Sequence, residues 1–242
     1  MTLLWSAAAA AQELTIAAAA DLQPIFPALA KQFEAETDRR VAVTFGSSGN
    51  FFSQIQNGAP FDLFFSADVN YPRRLADSGL VEPGSLSLYA TGRIVLWVRK
   101  DSGIDLGRGL QALLSPRVRR IAVANPEHAP YGKAAVAALR HARLYDAVRG
   151  KLVLGENVAQ AAQFVDSGNA DAGIIALSLA LTPALKNSGA MHEIPAGSYP
   201  PIEQSVAMLR ASRHKETARQ FLAFLERPEV IDKMRAFGFA RP

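Results

Sequence analysis

Val41-Ala42-Val43-Thr44-Phe45-Gly46-Ser47-Ser48-Gly49-Asn50 is the stretch whose reading decides the fold. Its first five residues alternate and favour β-structure, so they read as a strand. Phe51, Phe52 and Ile55 then recur at helical spacing until Asn57-Gly58 stops them. The turn of hydroxyls and glycines between them therefore opens a helix. Such an N-terminus carries unpaired backbone N–H groups and the positive end of the helix dipole, and glycines let a ligand approach closely. It suits a small anion. The same residues, Ser47, Ser48 and Asn50, also serve as plain helix caps, so the choice rests on the rest of the chain.

Outward from this turn the pattern repeats. A strand at Leu14–Ala18 precedes it, followed by a helix through Ala35, and a strand at Asp62–Ser66 follows. Pro24 and Pro27 constrain that first helix; a start at Pro24 leaves Pro27 costing only the first intrahelical bond. Further units follow: Ile94–Val98, Ile121–Ala124 with a helix from Tyr131, Leu152–Leu154 with a helix from Val158, the strand Ala172–Ala176, and the strand Ile202–Leu209. Helices from Glu216, capped by Ser212 or Arg213, and from Pro228 end the chain. This alternation predicts an α/β protein with mixed, mostly parallel sheets.

The chain has 242 residues, 49% of them hydrophobic, enough for one large domain or two smaller ones. With no cysteine, disulfides and thiolate sites are excluded, and His128, His141, His192 and His214 form no close pair at metal-ligand spacing. No free metal cation or cofactor is expected. The net charge of +4 is scattered among acids, without the basic stripe of a nucleic-acid surface. Leu3–Ala11 is apolar, too short to span a bilayer, and ends in alanines that fit a secretory cleavage site before Gln12 or Glu13. Residues 1–12 are expected to be a signal-peptide remnant of an exported protein.

Four strand-to-helix turns share a character: Ala20-Asp21, Ser47-Ser48-Gly49, Pro130-Tyr131 and Asn157-Val158, none with a lysine or arginine. In a doubly wound sheet such turns lie together at the strands' carboxyl ends, where N–H groups and hydroxyls can hold a small oxyanion.

Phe45-Gly46-Ser47-Ser48-Gly49, the block Asn57-Gly58-Ala59-Pro60 to Ser66-Ala67-Asp68, and Pro126-Glu127-His128-Ala129-Pro130-Tyr131-Gly132 resemble the periplasmic molybdate-binding proteins of ABC transporters. The likeness runs from Leu14 to Phe239. It implies the two-lobed periplasmic binding protein fold of type II, with lobe 1 formed by residues 13–91 plus 203–242 and lobe 2 by residues 92–202, joined by crossing strands that hinge near Thr91 and Pro201-Ile202. It implies a monomer that holds molybdate or tungstate between the lobes for a membrane permease. The binding positions map onto Ala20 or Asp21, Ser48, and the backbone N–H groups of Tyr131 and Val158. Two positions depart from the pattern: Ala176 stands where some members have a tyrosine, and Asp21 where many have serine.

Enzyme signals are weak. Gly46-Ser47-Ser48-Gly49 lacks the spacing of a nucleophile elbow, and Ser212-Arg213-His214-Lys215 matches Ser-x-x-Lys without its companion motifs. His128, three residues before Tyr131, is expected to pack behind the site. A binding protein for phosphate or sulfate, or a two-lobed sensory domain, are the alternatives. Asp21 sharpens them, because a carboxylate about 4 Å from an anion costs on the order of 4 kcal/mol per unit charge at an effective dielectric of about 20. Asp21 is expected either to cap its own helix, offering the ligand its N–H, or to accept a proton from a ligand such as hydrogen phosphate.

Overall fold

The computed structural model describes residues 13–241; the expected leader lies outside the described residues. The first sheet is built from β1 (Glu13–Ala19), α1 (Phe26–Thr37), β2 (Arg40–Gly46), α2 (Ser48–Gln56), β3 (Leu63–Ser66), α3 (Asn70–Asp77) and β4 (Ser87–Gly92). The second comprises β5 (Ile94–Arg99), β6 (Ile121–Ala124), α4 (Pro130–His141), α5 (Tyr145–Val148), β7 (Leu152–Gly155), α6 (Val158–Asp166), β8 (Ala172–Ala176), α7 (Leu177–Ala180), α8 (Pro183–Ser188) and β9 (Gly189–Glu193). The chain then returns through β10 (Ile202–Met208) to the first sheet and ends in α9 (Lys215–Leu225) and α10 (Pro228–Ala236).

Strand order is β2-β1-β3-β10-β4 in one sheet and β7-β6-β8-β5-β9 in the other. In each, three strands are mutually parallel, and the fourth, β10 or β5, runs against both its neighbours. Four of five strands thus point the same way, and the odd strand follows a crossing between sheets. The crossings fall between Gly92 and Ile94 and between Glu193 and Ile202. Near the C-terminus Ala240 exchanges two backbone hydrogen bonds with Thr91, of 2.8 and 3.0 Å, tying that end to the crossing.

Local chemistry moves some boundaries. The first helix begins at Phe26 rather than Pro24, which places Pro27 in its first two positions, where the missing N–H interrupts no intrahelical bond. The segment at Ala20–Leu22 is a separate 3-10 turn. Neither Ser212 nor Arg213 is the N-cap of α9: the N-cap is His214, without a side-chain cap bond, and the Ser212 hydroxyl donates to Asp62 at 2.7 Å while its oxygen accepts from His214 N–H at 3.1 Å. The 3-10 turns within Leu106–Leu114, broken at Gly109 with φ of +56°, and the edge strand β9 have no counterpart among the sequence-read elements.

Candidate functional site

The ends of β1, β2, β6 and β7 bring their turns to one small cavity between the sheets. Ala19, Ala20, Asp21, Gly46, Ser47, Ser48, Ala67, Ala129, Pro130, Tyr131, Asn157 and Val158 line it. All five residues expected at the site from sequence, Ala20, Asp21, Ser48, Tyr131 and Val158, are among them. Among the described residues, no lysine or arginine lines it.

The caps are divided so as to leave donors free. The Asn157 side chain accepts from the N–H groups of Ala159 and Gln160, both at 3.0 Å, while Val158, the first residue of α6, keeps its own. On α2 the cap is Ser47, whose hydroxyl oxygen accepts from Asn50 N–H at 3.4 Å. Ser48 does something different. Its Oγ accepts from Ala67 N–H at 2.9 Å, which leaves the hydroxyl hydrogen available to donate. Pro130 opens α4 without an N–H, so Tyr131 carries the first donor of that helix. Among the described residues, the N–H groups of Ser48, Tyr131 and Val158 have no acceptor. Three helix N-termini of this kind, with a hydroxyl beside them, form a neutral receptor for the oxygens of an anion.

Asp21 lies inside the 3-10 turn, whose N-cap is Ala19, and among the described residues its side-chain hydrogen bonds go to Tyr131 and Gln204 rather than to the first N–H groups of a helix. Its carboxylate turns instead toward α4 and β10, where Oδ2 accepts from the Tyr131 hydroxyl at 2.9 Å and from Gln204 Nε2. Its backbone carbonyl accepts from the Ser178 hydroxyl at 2.7 Å. The second sheet's helices therefore hold Asp21 by both side chain and main chain. Burial pushes its pKa up to about 7, against the opposing pull of the Gln204 and Tyr131 hydrogen bonds and of its own backbone N–H. Gly92 makes room for the cluster: a Cβ there would lie 2.3 Å from the Tyr131 hydroxyl and 3.0 Å from Gln204 Nε2.

Sequence reasoning missed Gln204, Tyr89, Ser178 and the tyrosine's own hydroxyl. A signal existed for Gln204, since the alternation of Ile202, Val206 and Met208 puts it on their buried face. His128 bonds across the cleft, with Nδ1 2.8 Å from Ser47 Oγ and its carbonyl 2.9 Å from Gly49 N. At the rim Asn50 donates to Glu156 at 3.2 Å, and Lys133 lies 3.7 Å from Asp68. Ala176 is fully buried and brings no hydroxyl. Of the residues in the Ser-x-x-Lys match, Ser212 and His214 serve Asp62 and Lys215 pairs with Glu82 at 2.7 Å. That set is structural.

Two lobes closing on a cavity of converging helix N-termini define a solute-binding protein. The chain belongs to the bacterial extracellular solute-binding protein family, whose profile matches residues 14–240. It is 37% identical over 236 residues to the molybdate-binding protein ModA of Azotobacter vinelandii, covering 98% of this chain and 93% of that protein. Against the molybdate-binding protein ModA of Rhodobacter capsulatus the identity is 34% over 231 residues, with 96% and 89% covered. The solved Azotobacter vinelandii periplasmic molybdate-binding protein superposes with a TM-score of 0.89 at 35% identity, over 95% of this chain and 99% of that one. The protein is a binding protein of solute transport rather than an enzyme.

Proposed function

We propose that the protein captures molybdate, or tungstate, between its lobes in the periplasm and delivers it as a monomer to the permease of an ABC transporter. The observation that carries this reading is the set of free N–H donors at Ser48, Tyr131 and Val158 around a cavity lined by no cation. A tetrahedral dianion satisfies such donors from several sides at once, and its charge suits three helix dipoles. In this reading the Ser48 hydroxyl and the backbone N–H groups of Ala20, Asp21, Tyr131 and Val158 bond the anion's oxygens, and the metal itself has no protein ligand. The lobes are residues 13–91 with 203–242, and 92–202, rocking about the two crossings. The names of the similar proteins point to the same cargo.

Ligand that binds only the folded closed form raises stability by about 4 kcal/mol at a free concentration about a thousand times its dissociation constant. Thermal melts with molybdate, tungstate, sulfate and phosphate test the reading. Molybdate and tungstate should raise Tm alike, and the smaller sulfate much less. Equal shifts with all four anions, or none with the first two, sink it. Recovery of the mature protein from the periplasmic fraction of cells checks export.

A further inference from the structure

Resting on the oxyanion reading above, we propose that Asp21 makes capture proton-linked: the lobes close over the dianion with Asp21 protonated, so one proton is taken up with each anion bound.

Asp21 is fully buried beside the cavity, and every group bonded to its carboxylate is neutral. Oδ2 has the Tyr131 hydroxyl and Gln204 Nε2; Oδ1 has no partner. Gln204 cannot swing away to relieve this, because its Oε1 accepts from the Tyr89 hydroxyl at 2.8 Å while its Nε2 also reaches the Tyr131 hydroxyl oxygen at 3.0 Å. A buried carboxylate with both its side-chain donors on one oxygen and no cation is costly, and a proton on the bare oxygen removes the charge.

The surroundings offer no other remedy. Tyr131 on α4 and Tyr89 on β4 are themselves pushed well above the ordinary tyrosine range by burial, so both stay neutral. Ser178 of α7 serves the backbone carbonyl. The charged residues of α6 and β2, which also pack on this turn, are Asp166 and Arg40, exposed at the ends away from it. Lys133 of α4 is directed to Asp68 and Tyr71. A dianion entering the cavity adds like charge and pushes Asp21 further toward its neutral form. Opening the cleft carries Tyr131 and Ser178 away and lets water reach the carboxylate, which favours ionisation. Protonation and closure therefore reinforce each other.

The sign follows from a pKa raised from 3.8 to about 7. The closed form keeps its proton up to that raised pKa, and further with the dianion present, whereas the open form loses it at lower pH; affinity therefore falls as pH rises between those two values, tenfold per unit at the limit. Titration calorimetry of the mature protein with molybdate, at about pH 6, 7.5 and 9 in buffers of different ionisation enthalpy, reads both slope and proton count. Molybdate itself remains a dianion over that range. The expected result is affinity that falls with rising pH, most steeply where about one proton is taken up and levelling off once the closed form too has lost its proton. Asp21→Asn should flatten the slope, abolish proton uptake, and bind more tightly than the parent at high pH.

Tyr131→Phe provides a second reading that keeps the backbone N–H. It removes a donor that favours the carboxylate in the closed form, so the fall in affinity should extend to higher pH; a purely structural hydroxyl would lower affinity equally at every pH. A parent protein that binds molybdate with the same affinity across the range and takes up no proton overturns the proposal, as does an Asp21→Asn protein that keeps the slope. Absence of molybdate binding at every pH instead overturns the oxyanion reading beneath it.

Discussion

Between the first sheet and its helices the space is filled by rings: Phe26, Phe33, Phe65, Phe221 and Phe224 meet largely edge to face, with centroids 4.9 to 6.3 Å apart. In the second sheet β6 brings Ala122 and Ala124, α4 brings Ala134, Ala135 and Ala138, and α6 brings Ala161 and Ala162 to the buried core. The strand order is the same; the distance from helix to strand is not asked to be. Rings bury the most apolar surface per residue, whereas methyl groups allow closer approach. The second lobe uses that closeness at its site. A Cβ on Gly132 would lie 2.1 Å from the Ala124 carbonyl oxygen, and one on Gly155 2.8 Å from Ala161 N, so α4 and α6 sit directly against the ends of β6 and β7. The first lobe fills the space under its helices with rings, and the second brings two helix starts up against its strands, where their donors face the cavity.

The contrast can be broken most forcefully with a pair of substitutions. Phe221→Ala empties the ring cluster and should cost about 3 to 5 kcal/mol in denaturant unfolding, while molybdate affinity of the folded protein changes by less than about threefold. Gly132→Ala should do the reverse, lowering affinity more than stability, because the clash is with backbone and must shift the Tyr131 N–H. If both substitutions affect binding and stability in proportion, the division of labour is wrong.

A smaller effect sharpens the picture within the cavity. Ser48→Ala removes a hydroxyl donor to a charged acceptor, roughly 1.5 to 3 kcal/mol, so calorimetry should show affinity falling about tenfold or more. It also strands the Ala67 N–H, so the unliganded protein should melt lower. Unchanged molybdate affinity would move the site elsewhere. Smallest is Ser47→Ala, a lost cap of about 1 kcal/mol, read as a drop of a few degrees in Tm. It also removes the hydrogen bond to His128 across the cleft, so ligand release in stopped flow should quicken while the association rate holds.

The elements nearest the site were the most legible from sequence. Asn157, the Ser47-Ser48-Gly49 turn and Pro130 announce helix starts through short-range chemistry, and the Asp21 anomaly could be seen as a charge where the ligand should be. Its resolution could not, because Tyr131, Gln204 and Ser178 come from 110, 183 and 157 residues away. Ser47 and Ser48 look interchangeable in sequence and divide their roles only through Ala67 and Asn50. Strand β9 escaped notice because Gly189-Ala190-Met191-His192-Glu193 is a mostly exposed edge without an alternating pattern. Its glycine is explained by tertiary packing alone: a Cβ would lie 2.0 Å from the Trp97 ring.

Gly92 carries a consequence for how sequences of this family can drift. Its missing side chain is the space into which the Tyr131 hydroxyl projects, so a larger residue cannot stand at Gly92 while that hydroxyl stays. A relative with any larger residue at the place of Gly92 should have lost the tyrosine at the place of Tyr131, or at least its hydroxyl. Where the tyrosine persists the glycine should too, whatever anion the relative carries. The two sites are 39 positions apart in the chain, yet in evolutionary terms they constitute a single character.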